Sequence, residues 1–365
     1  MRRKKLLIVA GILCLGLMVG VLPFETAHAK SEVIKLKFAN FFPPPARHSK
    51  ICEEFCAEVE KRTNGGVKIQ YFAGGSLLKA PAIYNGVVTG IADIGFAHIE
   101  YTPGRFPVTA ARELPLRYPS AWVSNQVAND FYNAFKPKEW DEVQVLWMHA
   151  CNPNVMITAK KPVNKLEDLK GLRIRAPGVV GYTVSALGAT PTSTPMMEVY
   201  DAMSKGVIDG VNTPFETLRS FRFAEVVKYT TASWQVGNVY AFYTVMNKKS
   251  YQKLPPDLKE TFDKICGEFK EKIALMWNLI DIEGKEFAIK KGVEIIELSP
   301  QEEARWMIAT KPVVENYVKE MVGKGYPEAE VRGWIKFLQE RIDYWTAKQI
   351  ELRIKAPTGP PEMRP

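Results

Sequence analysis

Histidine and cysteine are scarce here: four of one and five of the other in 365 residues. The histidines are His28, His48, His98 and His149, each isolated from any second metal ligand at working spacing. Cys52 and Cys56 stand one helical turn apart, but no Cys/His pair accompanies them, so they read as buried free thiols. Cys151 and Cys266 do not extend them into a disulfide framework. The signatures of covalent chemistry are also missing: there is no G-x-S-x-G, no H-E-x-x-H, no G-x-x-x-x-G-K-[ST] and no G-x-G-x-x-G. An exported α/β hydrolase would need a nucleophile–base pair or a metal centre, and neither is recognisable, so we assign no catalytic residue, no metal and no cofactor. No basic tract is interleaved with aromatics, which removes nucleic acid as a partner.

Long apolar runs are absent too, except at the start. Met1-Arg2-Arg3-Lys4-Lys5 leads into an apolar run, Leu6–Leu22, and then into Ala27-His28-Ala29. A basic segment, a hydrophobic segment and an A-x-A site make a secretory signal peptide cleaved after Ala29. The alternative is an uncleaved anchor, but the run is short for a span and is interrupted by Gly11, Gly16 and Gly20. The reading places the mature chain in the periplasm. It would carry 45 basic and 39 acidic residues, a net charge of +6 spread along a solvated surface.

What remains is a chain of alternating strand and helix patterns. Val33–Ala39 alternates as a strand, and Asn40–Pro45 is a proline loop. A helix over Ser49–Arg62 carries the stripe Ile51, Cys52, Phe55, Cys56 and Val59. Val67–Tyr71 and Gly90–Ala97 are further strands with a helix between them, so the start reads β-α-β-α-β with a parallel sheet. Val143–Ala150 is a strong strand, broken at Cys151-Asn152-Pro153-Asn154, where we expect the chain to cross into a second α/β unit. Val239–Met246 is an apolar strand placed to return. Pro255-Pro256-Asp257 opens a long helix whose apolar residues keep a 3.6-residue period from Leu258 to Ile280. Ser299-Pro300-Gln301-Glu302 is a capping box. The helix from about Glu328 has a wide apolar face, which needs either the second domain or a partner chain to cover it.

The segment Glu167-Asp168-Leu169-Lys170-Gly171-Leu172-Arg173-Ile174-Arg175-Ala176-Pro177-Gly178 stands out. A short strand there ends on Arg175, beside a Pro-Gly stop. Ligands of open α/β sheets sit beyond the carboxyl ends of strands, and an arginine fixed there can hold a carboxylate with two parallel hydrogen bonds. Arg173 points the same way in alternation and reads as a solvated charge.

This segment resembles the "DLKGLKIR" stretch of DctP-type solute-binding proteins of TRAP transporters. Further stretches agree in order and spacing: Leu36–Asn40, Glu58–Gly65, Gly90–Gly95, Glu113–Pro115, Glu198–Gly210 and Leu254–Leu258. The resemblance covers about residues 32–325. It implies a receptor of the venus-flytrap type, two α/β lobes hinged by crossing strands and braced by a long helix, with C-terminal helices beyond. It implies that the lobes close on a small organic acid and hand it to the membrane permease subunits of an ion-gradient-driven transporter. Arg175 matches the family's carboxylate clamp, and Asn40, His98, Met196 and Thr213 match positions that line the cleft in relatives. Where relatives often carry Asn, this chain has Thr213; where some carry a second arginine, it has Val155. Lys79, His98 or Arg105 would then supply a second positive group.

The expected organisation is residues 1–29 signal peptide, 30–151 plus 240–285 lobe I, 152–239 plus 286–325 lobe II, 326–355 a C-terminal helix and 356–365 a disordered tail. The candidate ligand-binding residues are Arg175, Asn40, Phe41, Lys79, His98, Met196, Asn212, Thr213 and Trp234. The aromatics Phe41, Phe42, Tyr101, Phe106 and Trp234 favour an aromatic or hydrophobic carboxylate. A monomer is expected, with a dimer through the last helix as the alternative. The binding protein of an ATP-driven importer, or a sensor, is the competing reading.

Overall fold

The computed structural model describes residues 33–365; the leader expected at residues 1–29 lies outside the described residues. The chain opens with β1 (Ile34–Asn40), α1 (Arg47–Arg62), β2 (Val67–Phe72), α2 (Ile83–Val88) and β3 (Ile94–His98). β1 pairs parallel with both β2 and β3, as the alternating pattern predicts. The stripe of α1 is buried along its whole length from Ile51 to Val59.

Next comes α3 (Ala121–Phe135), a helix that sequence reading passes over. Its apolar period is obscured because both of its faces are covered. Polar Ser124, Asn125, Gln126 and Asn129 are buried with the rest. Asn125 and Asn129 use their amides on the carbonyls of Ala150 and Met148, each at 2.7 Å, and so pin the helix to β4 (Val143–Ala150).

The chain then crosses at Cys151–Asn154 and builds a second unit. This comprises β5 (Val155–Thr158), β6 (Arg173–Arg175), α4 (Gly178–Ala186), β7 (Thr190–Thr192), α5 (Val199–Ser204), β8 (Gly210–Thr213), α6 (Thr217–Ser220) and β9 (Tyr229–Ala232). Strands β5 and β9 are four residues each, too short to show a period. It returns as β10 (Ala241–Asn247), which inserts antiparallel between β3 and β4. After α7 (Lys248–Gln252) come α8 (Pro256–Lys290), β11 (Glu294–Glu297), α9 (Pro300–Gly323) and α10 (Glu328–Glu351). The result is two lobes, each on its own sheet: β2-β1-β3-β10-β4 and β11-β9-β5-β8-β6-β7.

The two crossing segments run side by side. Asn154 N–H donates to the Asn238 carbonyl at 2.9 Å, and Tyr240 N–H to Cys151 Sγ at 3.1 Å. All four described cysteines are free and buried. Helix α8, 35 residues long, braces both lobes. Its Phe262 and Phe269 pack on Phe55 of α1. Its Glu283 takes Arg47 of α1 on one oxygen and Arg219 of α6 on the other, both at 2.9 Å. Gly284 permits the closest approach: a Cβ there would lie 2.6 Å from the Phe215 carbonyl and from Glu216 Cα. Among the described residues no helix is long and apolar enough to cross a membrane.

Two expectations at the C-terminus are corrected. Helix α10 is covered mainly by α3 of the first lobe, where Trp345 Nε1 and Arg341 Nε both donate to Asp130 at 2.7 Å, and it also meets α9 through Arg332 and Glu315. The tail after Ala356 is not loose. Ala356, Thr358 and Met363 are buried. Ala356 N–H donates to the Met363 carbonyl at 2.7 Å, and Thr358 Oγ1 to the Pro119 carbonyl at 2.8 Å. Proline restricts the backbone of this segment and so lowers the entropy lost in docking it, which composition alone does not reveal.

Deleting residues 356–365 uncovers Met363's site and frees the Pro119 carbonyl. We expect the melting temperature to fall by roughly 3–6 °C in a circular-dichroism melt. An unchanged melt would mean that the tail contributes nothing to stability.

Candidate functional site

Arg175 ends β6, which lies between β8 and β7 with both pairings parallel. Alternation sends Ile174 into the core and the two arginines the other way. Arg173 stays at the surface, tied to Asp209 (Nε to Oδ2, 3.2 Å) and to the Gly206 carbonyl (2.7 Å). Arg175 is only 2% exposed. Its Nε donates to the Thr194 carbonyl at 3.0 Å, and its guanidinium lies 5.4 Å from the Tyr240 ring centroid. Among the described residues no carboxylate forms an ion pair with it. Arg175 lines a cavity between the lobes.

The first lobe supplies Phe41 and Phe42 from the loop after β1, His98 from the end of β3, and Tyr101 from the next turn. The second supplies Arg175, Met196, Thr213, Pro214, Glu216 and Phe221. The crossing strands and α8 add Cys151, Tyr240, Phe242 and Trp277. The walls are aromatic on most sides: Phe41 stacks on Phe42 at 4.4 Å, and Phe242 lies 5.2 Å from Trp277.

Of the residues expected from sequence, Arg175, Phe41, His98, Met196 and Thr213 are brought together here. Asn40, Lys79, Asn212 and Trp234 are not. Asn40 shapes the loop behind the wall: its Oδ1 accepts the Phe42 N–H at 2.9 Å and its Nδ2 reaches Cys52 Sγ at 3.5 Å. Lys79 is exposed at the turn before α2. Asn212 precedes Thr213 on β8, so alternation turns it away from the cavity that Thr213 lines. Trp234 lies 5.9 Å from the Arg117 guanidinium, in a groove shared with Asp343 and Thr346 of α10. Arg105 is also spent elsewhere, on Glu142 and the Tyr84 hydroxyl. Val155 is buried on β5 opposite Thr213. Among the described residues Arg175 is thus the single permanent cation of the cavity lining. Tyr240, Phe242, Trp277 and Glu216 were missed, since each belongs by sequence to a core-like apolar pattern or to no pattern.

His98 has a defined tautomer. Its Nδ1 accepts the Glu100 N–H at 3.0 Å, so the proton is on Nε2, which has no partner among the described residues. Burial, with the Arg175 charge adding to it, holds its pKa well below the usual imidazole value. It is therefore a neutral hydrogen-bond donor beside a cation. Glu216 is the opposite case. Burial pushes its carboxyl up to about 8, the Ser220 hydroxyl pulling the other way.

A second opening is lined by Glu100 and by Glu320, whose carboxylate already takes Lys324, so no cation is left free there for an acid. There the lobes touch directly. The Glu100 carboxyl of the first lobe lies on the first turn of α4 in the second, where a Cβ on Gly178 (φ +62°) would collide with it. Burial raises the pKa of Glu100, while a hydrogen bond from Glu113 and the Val179 amide oppose that shift. Burial and the Glu100 charge hold Glu113 well above the usual carboxyl range, so the pair shares a proton.

Gly178→Ala should therefore separate the lobes. We expect a larger radius of gyration in small-angle scattering, brought back when Glu100→Ala is added to relieve the collision; an unchanged radius would show that the lobes do not lean on this contact. A pH test follows from Glu216. Below about pH 4.5 the folded and unfolded chains both hold its proton; between 4.5 and about 8 only the folded chain does. The group therefore costs increasing stability as pH rises through that window. Glu216→Gln should gain melting temperature over the wild type, by a margin that grows from pH 5 to pH 8, and a constant margin would contradict the assignment.

Comparisons with known proteins identify the family. A family model described as bacterial extracellular solute-binding protein, family 7 (DctP) matches residues 39–320. A TRAP periplasmic solute-binding protein from Desulfovibrio salexigens, an open complex, is 35% identical, with 85% of this chain and 96% of that one covered and a TM-score of 0.73. A marine metagenome TRAP solute-binding protein specific for aromatic acid ligands, in complex with metahydroxyphenylacetate, is 27% identical over 86% and 99%, with a TM-score of 0.81. One from Rhodoferax ferrireducens with copurified benzoate is 25% identical over 87% and 99%, also at 0.81. The chain belongs to family 7 of the bacterial extracellular solute-binding proteins, the DctP family, and is a TRAP-type solute-binding receptor, not an enzyme.

Proposed function

We propose that this protein captures an aromatic monocarboxylate between its two lobes in the periplasm and delivers it to the membrane subunits of a TRAP-type permease driven by an ion gradient. The observation that carries this is the unpaired guanidinium of Arg175 in a cavity walled by aromatic rings. A buried cation without a counter-ion is costly, and a carboxylate held bidentately removes that cost. His98 Nε2–H adds a neutral donor from the facing lobe, so the ligand joins the two lobes and favours their closed state. Ring burial against Phe41, Tyr240 and Phe242 would contribute about 1.5–3 kcal/mol.

One cation matches one carboxylate. A C4-dicarboxylate would leave its second charge among phenyl groups, since Arg105 pairs with Glu142 and Lys79 lies at the surface. Two structures similar to this chain hold aromatic acids, metahydroxyphenylacetate and copurified benzoate, which supports the ligand class.

Isothermal titration against benzoate, phenylacetate, succinate and malate should show binding of the aromatic acids and weak or no binding of the others. Arg175→Ala should weaken the aromatic acid by about tenfold or more with the melt preserved, and Arg175→Lys should recover only part, since it restores charge but not the fork. Preference for succinate, or unchanged affinity in Arg175→Ala, would overturn the proposal.

A further inference from the structure

The aromatic cavity has a second polar group that the carboxylate clamp does not use. Glu216 stands at the amino end of α6 and is 2% exposed. Its backbone N–H is occupied, donating to Asp281 Oδ1 of α8 at 2.7 Å. Its side chain is only partly used: the Ser220 hydroxyl bonds the carboxyl, but Oε2 is buried with no hydrogen-bond partner among the described residues, and Glu216 is part of the cavity lining. It forms no ion pair with Arg175. A buried carboxyl within reach of a buried guanidinium would pair with it, so the two are held apart. Their neighbours differ as well. The Arg175 charge acts on His98, Tyr101 and Tyr240, whereas Glu216 owes its state to burial and the Ser220 hydroxyl.

Three structural roles for this carboxyl fail. It does not hold α6 to α8, because the backbone N–H does that. It does not neutralise a cation, because none faces it closely enough to pair. It does not fill a packing gap at low cost, since an apolar residue of the same size would avoid the penalty of an unsatisfied buried acid. A carboxyl that keeps its proton offers one O–H donor and acceptor oxygens, which is the complement of a hydroxyl group.

We propose that Glu216 is a specificity-determining residue, and that the ligand is a hydroxy-substituted aromatic carboxylate whose ring hydroxyl exchanges hydrogen bonds with the Glu216 carboxyl while Arg175 holds its carboxylate. This deepens the aromatic-monocarboxylate reading and rests on it. A site built to bond a hydroxyl discriminates against analogues lacking it, because the site's own polar group is then left unpaired. Discrimination therefore works in one direction: benzoate is tolerated, a hydroxybenzoate is preferred, and a methyl group in place of the hydroxyl is rejected.

The test is titration calorimetry with benzoate, 3- and 4-hydroxybenzoate, and 3- and 4-methylbenzoate. One hydroxy isomer should bind about tenfold or more tighter than benzoate and than its methyl counterpart. In Glu216→Leu that preference, read as the ratio of hydroxy acid to benzoate affinity within the variant, should fall below about threefold, while Glu216→Gln should keep part of it. The methyl comparison needs no substitution and so decides the matter even if Glu216→Leu does not fold. Benzoate binding with no hydroxyl preference, or a preference that survives Glu216→Leu, overturns the role of Glu216 and leaves the aromatic reading standing. Failure of all five acids to bind overturns both.

Discussion

The structure depends on a positive charge that the protein does not neutralise by itself. Arg175 is buried between the lobes, over the face of Tyr240, with its Nε on the Thr194 carbonyl and, among the described residues, no carboxylate paired with it. In a low-dielectric cavity such a charge raises the free energy of any closed state that lacks an anion. With the lobes apart, water solvates the guanidinium; in the proposed complex the carboxylate of the acid would do so. Closure and occupancy are thereby tied to one another by electrostatics, without a separate sensing element.

The rest of the fold serves to place that charge and to permit motion around it. Arg175 and Gly178 are three residues apart on one lobe, and His98 and Glu100 two apart on the other. The ligand and the protein's own Glu100 contact are thus neighbouring links across the same cleft. Helix α8 keeps both lobes on one axis through the forked Glu283 bridge and the Asp281 bond to Glu216 N–H. Exposed ion pairs of that kind contribute little individually, so the brace owes its strength to packing at Phe262, Phe269 and Gly284.

Much of this was legible in the residues. Alternation and proline stops located β1, β4 and the returning strand, and the 3.6-residue period located α8, because these elements each bury one face or run long. Arg175 was visible because a strand end, a Pro-Gly stop and a family segment coincide on it. Helix α3 was hidden by its doubly covered surface, and the place of α10 was lost with it. Within the site, Asn212 was misplaced by one step of alternation, and Trp234 by its proximity in sequence to the crossing strand. Glu216 has no sequence signal: only the fold shows that it is buried in the cavity lining, with Oε2 lacking a partner among the described residues. Tertiary burial, not local pattern, decides such a residue.

The insertion of β10 between β3 and β4 also bears on how the molecule is made. A chain that emerges amino end first cannot finish the first sheet when β4 appears, since β10, the strand that joins β3 to β4, arrives about a hundred residues later. The apolar edges of β3 and β4 wait until every strand of the second sheet but β11 has been made, and α3 waits longer still for α10. The nascent first half is thus a chain without a closed core. Such a chain remains slow to fold and exposed to holding factors until nearly all of it has left the ribosome.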